Sequence, residues 1–357
     1  MNKMIHMMRN TRTHFLFILP LSIALLAIYQ LPAIGQTKED CLACHSDQSL
    51  TMEKAQKSVS LFVDENVLSS SAHKKLLCTA CHTGFNPNEV PHKESIKPIN
   101  CMNCHKDAPA KHSFHPQMMK AVSGAGQSDI SCKHCHGTHD ITSPKALGSK
   151  FNGVNLIETC GKCHSDVKEK FVTSSHAKAL KSGIPHAPSC ITCHVNDIVR
   201  VRAGKDSAQV KVAQERMCLS CHLDDPAIRE RTTPATGFIA AYEKSVHGAA
   251  LLKGNAKAAN CVDCHGSHEM KKSYDPTALV NKAHIPEQCG HCHESIANEF
   301  AQSVHGASLA EGNRDAPACT DCHGEHNILL HNDPRSPVAP LNVSGRVCSP
   351  CHSSLKL

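Results

Sequence analysis

The chain has 357 residues with 22 Cys, 28 His, no Trp, 3 Tyr and 9 Phe, and a formal net charge of +6. So little aromatic bulk, with Leu, Ile and Val spread thinly, excludes an ordinary side-chain core, and something other than side chains must fill the middle. Gly stands at 19 with no heptad period, which excludes collagen and coiled coil; the Cys and His load argues against disorder, and the scattered charge against nucleic acid as a partner.

The N-terminus reads as an export signal. Lys3, Arg9 and Arg12 precede an apolar run over residues 15–28 that only Pro20 and Ser22 interrupt, and no acidic residue comes before Glu39. Ala33-Ile34-Gly35 offers a small-x-small cleavage site. Residues 1–35 are therefore expected to be a signal peptide. The competing reading is an N-terminal membrane anchor, because residues 15–34 are long enough to span a bilayer.

Every cysteine after that belongs to one motif, C-x-x-C-H, used eleven times. The copies are Cys41, Cys44 and His45; Cys78, Cys81 and His82; Cys101, Cys104 and His105; Cys132, Cys135 and His136. Then come Cys160, Cys163 and His164; Cys190, Cys193 and His194; Cys218, Cys221 and His222; Cys261, Cys264 and His265. The last are Cys289, Cys292 and His293; Cys319, Cys322 and His323; Cys348, Cys351 and His352. Two thiols at this spacing reach the two vinyl groups of one haem and form thioethers, and the adjacent His is held under the iron. Zinc ribbons and disulfide frameworks also use C-x-x-C, but neither needs a His after every pair.

From the fourth motif onward the motifs come in pairs that open at Cys132, Cys190, Cys261 and Cys319, offset by 58, 71 and 58 residues; the longer offset holds a 13-residue insertion near 225–240. The flanks repeat too. His176, His247 and His305 each stand 14 positions before a pair-opening Cys, and His115 stands in an equivalent setting with three extra residues. Three opening motifs continue as C-H-G-x-H, giving His139, His268 and His326, whereas the one at Cys190 reads C-H-V-N-D, with Asp197 in the place of that His. Such a period implies a stacked, duplicated array. Residues 36–111 form a less regular module with three motifs, and 112–228 and 229–357 hold two paired repeats each. The spacing predicts helices over 167–180, 239–252 and 296–309, loops over 331–347, and no strand.

These motifs resemble the multihaem c-type cytochromes of the class III kind, over all of the chain after about residue 40. The resemblance implies a mainly α fold with little regular structure, in which short helices and loops surround a haem-packed core of dihaem repeats. It implies eleven covalently attached haems c and, since attachment takes place outside the cytoplasmic membrane, an exported, periplasmic protein, either free, anchored or at the cell surface. Loss of the leader takes the formal charge from +6 to +3, and the propionates of eleven haems make the loaded protein acidic and couple electron uptake to protons.

If every haem is bis-His, eleven distal ligands are needed. His6 and His14 lie in the leader. The candidates are His73, His92, His112, His115, His139, His176, His247, His268, His305 and His326, with His186, four residues before Cys190, as the eleventh. His284 and His331 sit in linkers, His134 and His291 inside C-x-x-C spacers, and Met118 and Met217 are the thioether alternatives.

Electron transfer is the leading expectation. The S-x-H-G-x-x-L and C-H-G-x-H flanks resemble multihaem subunits that take electrons from quinol-oxidising membrane cytochromes b, so redox proteins are the expected partners. One alternative is a reductase of a nitrogen or sulfur oxyanion with one open haem, expected at Cys190 or Cys218 because of the altered repeat; against it, no C-x-x-C-K occurs, and Tyr242 and Tyr274 sit in no supporting motif. Another is a protomer of an extracellular cytochrome filament.

Overall fold

The computed structural model describes residues 37–54, 56–93, 96–115, 118, 130–194, 207–232 and 239–353. The expected leader or anchor and Asp197 lie outside the described residues. Among the described residues no helix is long and apolar enough to cross a membrane. The fold is mainly α, built of many short helices joined by turns, as a chain that organises itself around attached groups requires. Contacts divide it into two units: residues up to 69 with 73–100, and 70–72 with 101 onward.

In the first unit the opening C-x-x-C-H lies on the helix Lys38–His45. Thr37 caps it through a reciprocal pair, accepting from the Asp40 amide while the Asp40 carboxylate takes the Thr37 amide. That amide hydrogen bond holds the Asp40 carboxyl below its usual value. A two-stranded antiparallel hairpin follows, Thr51–Lys54 against Lys57–Ser60, with Met52 opposite Val59. No strand was expected there. Both of its faces are exposed, so no alternation of apolar and polar residues marks it. The hairpin returns the chain so that Leu61 meets His45.

In the second unit each pair-opening motif is its own one-turn helix: Cys132–His136, Cys190–His194, Cys261–His265 and Cys319–His323. Three of these end in a glycine at φ +75° to +80°: Gly137, Gly266 and Gly324. The left-handed conformation stops the helix while the glycine amide still reaches back to the fourth residue before it. The chain then leaves in a new direction, which carries His139, His268 and His326 away from their own motif. The closing motifs instead ride on the C-terminal ends of helices such as Gly153–Gly161, Ala208–His222 and Ile285–Gly290.

The three expected long helices are each broken at a serine. Ser174, Ser245 and Ser303 adopt extended backbone angles and cap the helices Ser175–Lys181, Val246–Leu252 and Val304–Ala310 by accepting the amides of Ala177, Gly248 and Gly306 at 3.0, 3.1 and 3.1 Å. Serine competes for backbone amides better at a cap than inside a helix. The break turns the helix that carries His176, His247 or His305 against the one before it. In the stretch expected to be loop, residues 344–348 form a π-helical turn instead.

The side-chain core is slight. Ile285, Leu309, Ala316 and Ala318 pack with Val280 and Phe300, and Ala208, Leu251 and Ala258 with Val212. No aromatic residue is fully buried among the described residues.

A succession of paired histidines

None of the 22 cysteines forms a disulfide, so no C-x-x-C closes on itself. They meet across motifs instead. The first cysteines are neighbours in pairs, Cys41 with Cys78, Cys101 with Cys132, Cys160 with Cys190, Cys218 with Cys261, and Cys289 with Cys319. The neighbouring thiols drive one another apart: Cys160 is pushed up while Cys190 is pulled down to about 7. The second cysteines fill the alternate steps. Cys135 lies by Cys163, Cys193 by Cys218 and Cys221, Cys264 by Cys292, and Cys322 by Cys348 and Cys351. From Cys101 to Cys348, each motif is therefore the spatial neighbour of the next.

The motif histidines are faced by other histidines at a common spacing. Ring centres lie 6.2 Å apart for His115 and His164, 6.1 Å for His176 and His222, 6.1 Å for His194 and His268, and 6.1 Å for His247 and His293. They lie 5.8 Å apart for His265 and His326, and 6.1 Å for His305 and His352. With metal–nitrogen bonds of about 2.0 Å on either side and roughly 1.1 Å from each nitrogen to its ring centre, two imidazoles trans on one metal put their centres about 6.2 Å apart. The pairs thus fit one iron each. His112 and His136 are closer, at 5.6 Å with their Nε2 atoms 3.4 Å apart.

Burial favours the neutral form of several of these rings. It pulls His176 and His265 down to about 4, helped by His222 and by His326 respectively, and it lowers His136, His194, His247, His268 and His326 as well. A neutral imidazole offers a lone pair, which is the form that binds metal. Two rings are also oriented by the backbone. His45 and His112 donate Nδ1–H to the carbonyls of Leu61 and Ala108, each at 2.9 Å, which leaves Nε2 to face outward. Among the described residues no three His, Cys, Asp or Glu converge as a metal cage would need; the donors come in twos, as a haem requires. A cavity of about 2130 Å³ runs through the second unit, lined by cysteines and histidines of motifs from Cys160 to Cys292. It exceeds the roughly 300–1,000 Å³ of a single-ligand pocket, and so fits several large groups side by side.

The pairs follow a rule that the spacing of the sequence does not announce. The helix histidine ahead of a repeat faces the closing motif of that same repeat, as His247 faces His293. The C-H-G-x-H histidine faces the opening motif of the preceding repeat, as His268 faces His194. The expectation of an open position at Cys190 or Cys218 does not match the geometry: His194 faces His268 and His222 faces His176, and by the same rule the histidine missing at Asp197 would have faced His136, which faces His112 instead. His112 and His115 do not compete; they face different motifs. His186 faces none. It is exposed, and its Nδ1 pairs with Asp225 Oδ2 at 2.7 Å, so only its place in the sequence beside Cys190 had pointed to it. His92 bonds the Glu89 carbonyl at 2.8 Å and packs edge-on against Phe85. His73 and His139 are half-buried, each in a turn. Among the described residues no ring stands across from His45 or His323.

The high-molecular-weight cytochrome c of Nitratidesulfovibrio vulgaris Hildenborough is 23% identical to this chain over 325 residues, covering 78% of this chain and 53% of the relative. The multiheme cytochrome MtrA of Shewanella baltica OS185 is 25% identical over 210 residues, covering 54% of this chain and 52% of the relative. The chain spans about half the length of the curated relatives it matches. No family model matches it, and no solved structure does.

Proposed function

We propose that this chain, which is a multihaem c-type cytochrome, carries electrons between two redox proteins along eleven haems, ten of them held between two of its own histidines. The observation that supports this most is the unbroken succession of neighbouring motifs from Cys101 to Cys348, together with the histidine pairs spaced for one iron each. Haem c, when bound, supplies a one-electron couple at each iron.

The chain's own residues do the rest. The two cysteines of each motif would hold a haem by thioethers, and the motif histidine would hold its iron. His112, His115, His176, His247, His268, His305 and His326 would supply the second histidine, and His73, His92 and His139 complete the proposed distal set. An iron held by two histidines would have no place for a substrate and would have a low potential. Burial of His176, His194, His247, His265, His268 and His326 would keep those rings neutral.

The leader-like residues 1–35 and the covalent chemistry together support export to the periplasm. The donor favoured by the S-x-H-G and C-H-G-x-H flanks is a quinol-oxidising membrane cytochrome b, and the acceptor a periplasmic or extracellular protein.

The test is a haem count by pyridine haemochrome on the purified holoprotein, a potentiometric titration, and reduction by quinol in membranes that contain or lack the donor. Eleven haems of low potential, reduced through the membrane, agree with the reading. A much lower count, or reduction by soluble donors alone, contradicts it.

A further inference from the structure

The repeats are joined by one recurring contact. At three Ser-x-His segments the amide after the serine donates to the carbonyl two residues past a C-H-G-x-H histidine: Ala72 to Ile141 at 2.7 Å, Ser175 to Met270 at 2.8 Å, and Val246 to Ile328 at 2.8 Å. Ser71 adds its hydroxyl to the Ile141 carbonyl at 3.1 Å. These joints are sealed, with Ser71, Ser174 and Ser245 at 2%, 0% and 2% exposure. At two of them the same segment also presents its histidine to the preceding repeat, as His268 does to His194 and His326 to His265.

The copy of this face at Ser303 is bare. Ser303 still caps its helix, but the Val304 amide has no acceptor among the described residues and the Val304 side chain is 85% exposed. His323, the opening histidine of that repeat, is exposed and has no ring across from it among the described residues. In the two interior joints the amide contact and the histidine contact come together, so the bare Val304 amide and the unfaced His323 fall at the same position of the repeat.

We propose that Ser303, Val304 and His323 form a socket for the C-H-G-x-H turn of another multihaem c-type module. The histidine of that turn completes the haem site at His323, and its carbonyl two residues on accepts the Val304 amide. The turns at 139–141, 268–270 and 326–328 already have their carbonyls engaged inside this chain, so the occupant is a different module and not a folded second copy. The socket is the point where electrons pass to that module. This inference rests on the haem-bearing reading above.

The experiment uses the full-length ferric holoprotein, with low-temperature EPR as the readout and two probes: free imidazole, and a synthetic peptide of residues 324–329. We expect a high-spin signal that C319A/C322A removes and that the peptide converts to low-spin at a lower concentration than imidazole. V304P puts proline at a first-turn position that tolerates it and deletes only the donor. It should weaken the peptide about fivefold, the effect of one hydrogen bond, and leave the imidazole titration unchanged. Full haem content with no high-spin signal assigned to Cys319 overturns the socket and means that a histidine of this chain, His331 first, fills the position. A high-spin haem that binds nitrite or hydroxylamine, and the peptide no better than imidazole, also overturns it and makes the site a substrate site. A haem content far below eleven overturns instead the reading on which the inference rests.

Discussion

His268 stands across from His194 with 6.1 Å between ring centres and only 10° between ring planes, although the two belong to different repeats. The opening motif of one repeat thus faces a histidine of the repeat that follows. H268A is therefore expected to convert the haem at Cys190, not the one at Cys261 beside it in sequence, to high-spin. EPR on H268A and on H268A with C190A/C193A separates the two. If the new signal survives loss of the Cys190 attachment, the pairing across repeats is wrong.

The glycine after the helix histidine is a spacing requirement. A Cβ on Gly248 would stand 2.2 Å from the Tyr242 carbonyl oxygen, and one on Gly306 2.0 Å from that of Phe300. Both obstacles are backbone, so the helix must move, and His247 or His305 with it. The equivalent residue one repeat earlier is Ala177, fully buried. G248A should displace His247 and yield high-spin haem at Cys289, whereas A177G should cost only about 0.5–1 kcal/mol of stability and leave the spectrum unchanged. Equal spectra for the two variants would count against this account.

Glu215 is 1% exposed on the helix Ala208–His222, and neither carboxyl oxygen has a hydrogen-bond partner. Burial raises its pKa; Glu243 adds to the rise and Arg216 opposes it. Tyr242, pushed up by burial and then by Glu215, is the neighbouring phenol, and its hydroxyl donates to the Ala259 carbonyl. An unfolded glutamate ionises near about pH 4.3, so the folded chain keeps this proton over a window above that value. Stability from this group is fully present below the unfolded value and is lost as pH rises through the folded one. E215Q should therefore unfold at a higher temperature than the parent at pH 7, with the gap closing near pH 4. A gap that does not change with pH would falsify the assignment to ionisation.

Asn260 joins the long helix to the Cys261 motif. Its Oδ1 accepts the amides of Val262 and Asp263 at 3.2 and 3.4 Å, and its Nδ2 donates to Lys211 O and Gln214 Oε1 at 3.2 and 3.0 Å. N260A removes a cap and leaves buried groups unpaired, for an expected loss of about 2 kcal/mol. Denaturant unfolding of the holoprotein measures it, and a loss below a few tenths would show that the cap matters little.

Much of the site was legible because its chemistry is contiguous. Thioether attachment and proximal ligation need Cys, Cys and His within five residues, so each motif declares itself. The recurring distal histidines were visible by their flanks, with Ser-x-His on one side and Gly-x-His on the other. Their partners were not, since a ligand that crosses into the preceding repeat leaves no local trace. The same limit explains Asp197: its loss pointed to the haem beside it in sequence, while His194 there faces His268. The serine breaks escaped notice because apolar spacing runs on through Ser174, Ser245 and Ser303. Nothing in the sequence between His45 and Leu61 showed that an exposed hairpin was needed to aim one imidazole.

The joint between repeats has a bearing on how such arrays change length. Each contact links a position to another a fixed number of periods away, so the pattern has translational symmetry along the chain. Removal of 245–302, one 58-residue period, would bring Ser303-Val304-His305 to the place of Ser245-Val246-His247. Ser175 would then meet Ile328 in place of Met270, and His194 would meet His326 in place of His268. Every interior pairing of histidines is kept. Lengthening by the same period obeys the same condition, so the number of paired repeats can change by whole periods without breaking a joint.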